Sequence, residues 1–257
     1  LRYAWEIDYL KNLVFAPWPI NEFVVRPIAK ALRDWDANSS KSVNIFLANS
    51  NYIADKISSY YGREAKVIYP PVDTSVFYHE KTVKPGNFFL MAGRLLYYKG
   101  FDLGIRAFNQ LGLPLKIVGS GPEFQKLRSL ANSPNIEFIR NIPDSRLRHL
   151  YNEARALIFP QIEDFGLVAA EAQACGLPVL AYAKGGAPEI IIPGETGLLF
   201  EEQSPEAIVR AVKDFDRMKF NRDKISRSAA RFSKERFKNE LIKIIYQSGL
   251  ESKTRFS

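Results

Sequence analysis

The stretch that decides the fold spans residues 160–197 and reads PQIEDFGLVAAEAQACGLPVLAYAKGGAPEIIIPGETG. It follows a short apolar run, residues 156–159, that is typical of a buried parallel strand. Helix-forming residues then fill positions 166–174, and Gly176 stands where a C-terminal glycine cap belongs. The stretch predicts a strand, a polar loop and a helix, an arrangement whose loop lies at the ligand-binding edge of open α/β sheets.

Two carboxylates lie within this stretch, Glu163 in the loop and Glu171 in the helix. The amides of Phe165, Gly166 and Leu167 fall in the first turn, where they lack helical partners and can bind sugar hydroxyls or phosphate oxygens. Glu171 can accept two hydrogen bonds from a vicinal diol such as a ribose, and charged acceptors form the stronger bonds. The arrangement favours a sugar nucleotide as ligand.

A second group of residues follows the predicted strand at 88–92, where Arg94 and Lys99 surround one strand-to-helix turn. A guanidinium fork, an ammonium charge and the positive end of the predicted helix 101–110 together suit a diphosphate. Either cation alone could instead be an ordinary surface side chain. Their occurrence together with Glu171 at matching strand ends favours the diphosphate interpretation.

A third turn, residues 118–122, carries Gly119 and Gly121 after the predicted strand 115–118. We expect these glycines to let the backbone approach a ligand closely. They also raise the alternative of a dinucleotide-dependent dehydrogenase. That fingerprint requires a third glycine at the position of Phe124, so it fails here.

From residue 88 onward strands and helices alternate, which predicts an α/β fold with a Rossmann-like parallel sheet flanked by helices. The predicted strands are 88–92, 115–118, 136–139, 156–159 and 178–182. The predicted helices are 101–110, 122–131, 144–154, 166–175 and 205–215. Before residue 88 the pattern predicts only helices 21–41 and 50–61 and strands 44–48 and 66–69, too few strands for a doubly wound domain.

These motifs resemble the C-terminal, donor-binding half of family 4 glycosyltransferases, retaining enzymes of the GT-B fold that use nucleotide sugars. The resemblance covers roughly residues 49–237. It is strongest to mannosyltransferases that build cell-surface polysaccharides and lipid-linked glycans, where segments like 69–73 and 162–166 recur. The resemblance implies metal-independent transfer of mannose from GDP-mannose to a glycan or lipid-linked glycan acceptor, without a cofactor.

The same resemblance implies the role of each candidate residue. The implied catalytic residues are Arg94, Lys99 and Glu163. The implied donor-binding residues are Gly93, Gly119, Ile142, Asp164, Phe165, Gly166, Leu167 and Glu171. Asn141 departs from the family pattern, because many relatives have glycine there, and this departure leaves the choice between guanine and uracil open.

In this family an acceptor-binding domain precedes the donor domain, so we expect the chain to lack most of it. The predicted segments are 1–76, a remnant of that domain with a linker, 77–232, the donor-binding domain, and 233–257, a C-terminal helix and tail. Two alternatives remain open: a sugar-nucleotide-binding module that needs the other domain for activity, and a GT-B epimerase or hydrolase of sugar nucleotides.

Asp34 and Asp36 could suggest a metal site, since many metal-dependent glycosyltransferases use an aspartate pair. Residues two apart on a helix point about 200° from each other, so the two carboxylates cannot share an ion. We therefore predict no metal.

Composition and charge bear on location. The single cysteine, Cys175, agrees with a reducing cytoplasm, and no apolar stretch reaches the roughly 18 residues of a membrane span.

The net charge is +8, and residues 210–238 hold eleven Lys or Arg against four acids. The favoured interpretation of this basic stretch is a helix with a solvated basic face. The second interpretation is a peripheral contact with anionic lipid at the inner membrane face. Nucleic-acid binding ranks last, because no supporting motif accompanies the charge.

Overall fold

The computed structural model describes Trp5 and residues 20–247, with side chains for Trp5 and from residue 26 onward. The described residues fall into two compact units that divide between Val67 and Ile68. The beginning of the predicted segment 1–76 and the end of segment 233–257 lie outside the described residues. The functional assignment of the three segments stays a prediction.

Within residues 20–67, the first unit contains two helices and a two-stranded parallel sheet. Their bounds are α1 (Ile20–Ser40), β1 (Phe46–Ala48), α2 (Asn51–Tyr61) and β2 (Ala65–Val67). The hydroxyl of Ser50 accepts a hydrogen bond from the Ile53 amide at 3.1 Å and caps α2, which ends at Gly62 in the left-handed conformation. The two predicted strands are present, each shorter than expected.

The carboxylate of Asp36 is held by two side chains of the same unit. It accepts hydrogen bonds from the Tyr61 hydroxyl at 2.6 Å and from the Trp5 indole at 2.7 Å. Burial and the hydrogen bond to Asp36 raise the pKa of Tyr61 to about 12. Asp36 therefore has a structural role in this unit.

The second unit contains a six-stranded, fully parallel sheet in the order β5-β4-β3-β6-β7-β8. Its strands are β3 (Phe89–Ala92), β4 (Leu115–Val118), β5 (Ile136–Ile139), β6 (Leu157–Phe159), β7 (Val179–Tyr182) and β8 (Gly197–Phe200). The helices are α3 (Phe101–Leu111), α4 (Phe124–Leu130), α5 (Asp144–Glu153), α6 (Leu167–Ala174), α7 (Ala187–Ile190), α8 (Pro205–Phe215), α9 (Arg222–Ser228) and α10 (Lys234–Gln247). The predicted α/β fold class is confirmed.

Apolar side chains cover both faces of this sheet. Along β3, Phe89 and Met91 join one buried cluster, while Leu90 and Ala92 join the other. All four residues are buried, as expected for a central parallel strand whose neighbouring side chains alternate between the faces. The sheet is therefore a rigid base that fixes the positions of the loops at its carboxyl edge.

Strand β8 and helix α7 were not predicted from the sequence. Strand β8 begins at Gly197, where a Cβ would lie 2.0 Å from the Val179 carbonyl oxygen of the neighbouring strand. Only glycine permits this approach, and a glycine at its start obscures the usual strand pattern. Helix α7 is a single turn of four residues, too short to show helical periodicity.

The basic stretch 210–238 packs against the sheet domain. Ile225, Ala229 and Phe232 are buried, as their helical spacing indicated. Three of its arginines donate hydrogen bonds to backbone carbonyls. Arg222 donates to Asn152 at 2.7 Å, Arg231 to Ile190 at 2.6 Å and Arg236 to Tyr69 at 2.6 Å. These contacts support the structural interpretation of the stretch. Within residues 20–247, no helix combines the length and apolar character that crossing a bilayer requires.

The contact at Gly197 predicts a strong response to a single methyl group. We expect Gly197→Ala to lower the free energy of unfolding by about 2–4 kcal/mol, because the new Cβ must push β7 and β8 apart. Gly112→Ala is the matched control: it lies at φ 65 with no atom within 4 Å of the added Cβ and should cost about 1 kcal/mol. Urea unfolding followed by circular dichroism measures both, and equal losses would contradict the steric argument.

Candidate active site

A cleft of about 530 Å³ lies at the carboxyl ends of β3, β4 and β5. Its lining residues are Ala92, Gly93, Arg94, Val118, Gly119, Ser120, Gly121, Asn141, Ile142, Leu147, Tyr151 and Val168. Ala92 and Val118 are the last residues of β3 and β4, so the loops that follow these strands form the floor of the cleft. This is the edge of an open parallel sheet at which ligands bind.

Four of the predicted site residues line this cleft: Gly93, Arg94, Gly119 and Ile142. The guanidinium of Arg94 forms no ion pair or hydrogen bond within residues 20–247. The alternative of a strand-end salt bridge is therefore not realised for Arg94 in the described part of the chain. An unpaired cation on a concave surface is available to an anionic ligand.

At Gly119 and Gly121 the structure shows close backbone contacts within the protein, in addition to the close approach to a ligand that the sequence predicts. A Cβ at Gly119 would lie 1.9 Å from the Gly93 carbonyl oxygen, and one at Gly121 would lie 2.3 Å from that of Leu95. The loop after β3 also donates two hydrogen bonds across to the end of β4, from the Gly93 amide to the Val118 carbonyl and from the Leu95 amide to the Ser120 carbonyl, at 3.0 and 2.9 Å. The glycines thus let two loops pack backbone against backbone.

Lys99 and Glu163 form an ion pair with each other. Lys99 ends the short 3-10 helix Tyr97–Lys99, and Glu163 lies in the loop between β6 and α6. Their side chains are only 17% and 20% exposed, so solvent screens this pair less than a surface pair. Neither residue is among those that line the 530 Å³ cleft. In the unliganded protein each predicted catalytic group neutralises the other.

The first turn of α6 presents unpaired amides. Gly166 precedes the helix with φ 108, and the amides of Phe165, Gly166 and Leu167 form no hydrogen bond within the described residues. The Phe165 ring is buried and packs on Tyr69 and Phe232 at centroid distances of 5.7 and 5.2 Å. The ring therefore anchors the loop, and only the backbone at this position is available to a ligand.

Glu171 lies one turn further along α6, and the wall of the cleft on this helix is formed by Val168. Glu171 is not among the residues that line the cleft, but it lies three residues after Val168 on the same helix, and its role at the ribose stays a prediction. Burial raises the pKa of Glu171 to about 7, and the negative charge of Asp144 adds to the rise. The sequence did not indicate this partly protonated state.

Tyr151 is a cleft residue that the sequence analysis missed. It is fully buried, and its hydroxyl has no hydrogen-bond partner in the described part of the chain. Leu147 lines the cleft one turn earlier on α5. The i, i+4 spacing of these two residues, on the helix that follows β5, was the available signal.

Asp164, another predicted donor residue, lies half-buried in the loop before α6.

Comparison with known proteins gives a consistent set of similarities. The family model described as "Glycosyl transferases group 1" matches residues 77–232. An uncharacterised glycosyltransferase of Methanocaldococcus jannaschii is 28% identical over 202 residues, which cover 77% of this chain and 56% of that protein. A GDP-mannose-dependent α-(1-6)-phosphatidylinositol monomannoside mannosyltransferase of Mycolicibacterium smegmatis is 35% identical over 138 residues, 47% of this chain and 36% of that protein.

Solved structures show the same fold. Sucrose-phosphate synthase from Thermosynechococcus elongatus aligns with a TM-score of 0.73 and 22% identity, covering 85% of this chain and 61% of that one. Anabaena HepE, solved with UDP and glucose, aligns with a TM-score of 0.70 and 20% identity, covering 83% and 66%. The chain spans about half the length of the first curated relative. The match over 77–232 shows that the chain belongs to the group 1 glycosyl transferase family.

Proposed function

We propose that this chain is the donor-binding part of a metal-independent, retaining glycosyltransferase that moves mannose from GDP-mannose to a glycan or lipid-linked glycan. The observation that carries the proposal is the unpaired Arg94 guanidinium on a cleft at the carboxyl edge of the sheet. In this proposal Lys99, five residues after Arg94, and the free amides at the start of α6 also contact the activated sugar.

The difficult event in such a reaction is departure of the nucleoside diphosphate. Negative charge grows on the bridging oxygen as the bond to the sugar breaks, and fixed donors at that position lower the barrier. Arg94 and Lys99 supply fixed positive charge, and the amides of residues 165–167 supply dipoles. These groups do the work that a divalent cation does in other glycosyltransferases. The proposal therefore includes no metal and no cofactor.

Similarity to the mycobacterial enzyme supports GDP-mannose as donor, since that relative is named for its dependence on GDP-mannose. Its 35% identity covers 138 residues. We propose that Glu163 acts at the transferred sugar and that transfer proceeds with retention. A lipid-linked acceptor would bring the protein to the inner face of a membrane, where the exposed basic residues of 210–238 favour anionic lipid.

The donor is tested by titrating the chain with GDP, UDP and their mannose and glucose conjugates. We expect GDP and GDP-mannose to bind most tightly. A transfer assay with and without glycan acceptor separates transfer from hydrolysis of the donor. Tightest binding of a UDP-sugar would contradict the donor assignment, and release of free mannose without acceptor would favour a hydrolase.

The cationic pair predicts the first mutational result. Arg94→Ala and Lys99→Ala should each lower turnover by about 10²–10³-fold, because each removes charge from the departing diphosphate. Turnover is measured in the enzyme that also carries its acceptor-binding domain, as release of GDP from GDP-mannose in the presence of acceptor. Lys126→Ala, which removes an exposed lysine paired with Glu123, is the control and should leave turnover unchanged. Near-normal rates for both Arg94→Ala and Lys99→Ala would remove the diphosphate assignment.

Glu171 predicts a pH dependence of binding. With a pKa of about 7, its carboxylate is mostly protonated at pH 6 and mostly ionised at pH 8. Since the ionised form accepts both ribose hydroxyls, the affinity for GDP should rise over this range by up to about tenfold. Glu171→Gln should lack this component, and the difference between the two titrations cancels the ionisation of the ligand itself. A pH profile that is identical in the two proteins would contradict the ribose assignment.

The raised pKa of Glu171 also predicts how the stability of the folded chain changes with pH. The pKa of Glu171 is higher in the folded chain than its ordinary value of 4.5, so the folded state binds the extra proton. Its contribution to stability is therefore lost as pH rises from about 4.5 to 7. Thermal unfolding of the unliganded Glu171→Gln variant should show a smaller decline over this window.

The ion pair with Lys99 predicts that Glu163→Gln binds GDP more tightly while transferring sugar more slowly. In the unliganded protein Glu163 competes with the diphosphate for the Lys99 ammonium. Removing the competing charge should improve the dissociation constant several-fold, by roughly 1 kcal/mol. Calorimetric titration measures the effect, with the exposed Glu195→Gln as a charge-matched control. Weaker binding of GDP by Glu163→Gln would show that Glu163 supports the diphosphate.

A further inference from the structure

Three aromatic rings from distant parts of the second unit meet at the loop between β6 and α6. The centroid distances are 5.7 Å for Tyr69 and Phe165, 5.6 Å for Tyr69 and Phe232, and 5.2 Å for Phe165 and Phe232. The first pair is stacked and the other two are edge-to-face, and aromatic pairs prefer these two arrangements. Together these three side chains form the ring cluster.

Two members of the ring cluster are fixed by contacts that do not involve Phe165. The Val72 amide donates a hydrogen bond to the Phe232 carbonyl at 2.7 Å, and the Arg236 guanidinium donates to the Tyr69 carbonyl at 2.6 Å. The Arg231 guanidinium also lies over the Phe232 ring, 4.6 Å from its centroid. Tyr69 and Phe232 therefore form a fixed surface against which the third ring packs.

Phe165 connects this surface to the candidate active site. The residue is only 3% exposed, whereas Glu163 and Asp164 in the same loop are half-buried. Its backbone carries one of the unpaired amides before α6, and Glu163 lies two residues earlier. Protein interiors are close-packed, so the Phe165 ring cannot shift without opening a void beside its two partners. The ring cluster thus determines where the functional groups of this loop lie.

A second contact restrains the backbone of the same loop. The Gly186 amide donates a hydrogen bond to the Glu163 carbonyl at 2.9 Å, and a Cβ at Gly186 would lie 2.4 Å from the Phe165 carbonyl oxygen. The glycine turn therefore holds the backbone of the loop, while the ring cluster holds its buried side chain. Loss of one restraint should loosen the loop without unfolding the domain.

We propose that Tyr69 is a positioning residue of the donor site, which acts through the Phe165 ring on the amides before α6 and on Glu163. The inference rests on the proposed function, in which these groups act on the departing diphosphate and the transferred sugar. Tyr69 is not among the residues that line the cleft, so its effect passes through Phe165. A displacement of about 1 Å between reacting groups lowers a rate by about 100-fold.

The first measurement is amide hydrogen exchange on the unliganded chain, for the wild type, Tyr69→Leu and Tyr69→Phe. The amides of Ala169 and Gly186 donate to the carbonyls of Gly166 and Glu163, so their exchange reports local opening of the loop. We expect exchange of these two reporter amides to be about three- to tenfold faster in Tyr69→Leu, which removes the ring. Tyr69→Phe keeps the ring and should exchange like the wild type.

The second measurement is turnover of GDP-mannose in the enzyme that also carries its acceptor-binding domain. Tyr69→Leu should lower turnover about 10- to 100-fold, because the loop no longer holds its groups at the reacting atoms. The affinity for GDP should fall by a smaller factor, since Arg94 follows β3 and keeps its position. Tyr69→Phe should retain wild-type turnover.

Phe220→Leu is the matched control. Phe220 is half-buried, as Tyr69 is, and stacks on Phe215 at a centroid distance of 5.4 Å. Phe215 in turn packs at 5.8 Å against Phe89, the first residue of β3, so this contact lies at the amino edge of the sheet. We expect Phe220→Leu to lower the unfolding temperature about as much as Tyr69→Leu. Turnover and exchange of the two reporter amides should not change.

The outcomes separate the role of Tyr69 from the proposed function. Wild-type turnover or unchanged exchange in Tyr69→Leu would overturn the positioning role and leave the donor site intact. Equal losses in Tyr69→Leu and Tyr69→Phe would also overturn it, because the hydroxyl rather than the ring would then be responsible, as would an equal loss in Phe220→Leu. A wild-type enzyme that transfers no sugar from any nucleotide sugar would contradict the proposed function, and the role of Tyr69 with it.

Discussion

The candidate site depends on the close contact between two loop backbones, those that follow β3 and β4. Gly119 and Gly121 bring this backbone against the carbonyls of Gly93 and Leu95, and amide hydrogen bonds hold the loops together. A side chain at either glycine would force the loops apart and move Arg94 with them. The cleft floor is therefore made of backbone, and its shape tolerates little change in sequence.

Charge is arranged unequally around this floor. Arg94 remains unpaired in the described residues, whereas Lys99 is neutralised by Glu163 and Glu171 is partly protonated by burial. An unliganded site with two ion-paired groups and one partly protonated acid avoids part of the desolvation cost of isolated charges. An incoming diphosphate then meets one free cation first and can compete for the second.

The sequence was sufficient for the features that periodicity and strand-end chemistry determine. The parallel strands, Arg94 on the cleft and the unpaired amides before α6 all follow from local pattern. The sequence was insufficient for features that depend on contacts between residues far apart in the chain. Strand β8 was hidden by Gly197, the pKa of Glu171 depends on burial, and the Lys99–Glu163 pair joins loops 64 residues apart. The positive φ of Asn141, 53, likewise has no signature in the neighbouring residues.

The arginines of the C-terminal stretch change how the basic composition should be understood. Arg222 donates to the carbonyls of both Asn152 and Ala154, at the end of α5, and burial lowers the pKa of its guanidinium. A planar fork can satisfy two oxygens at once, which a lysine cannot do. Part of the isoelectric point near 9.4 therefore comes from arginines that hold helices together. A count of all basic residues would overstate the attraction of this protein for polyanions.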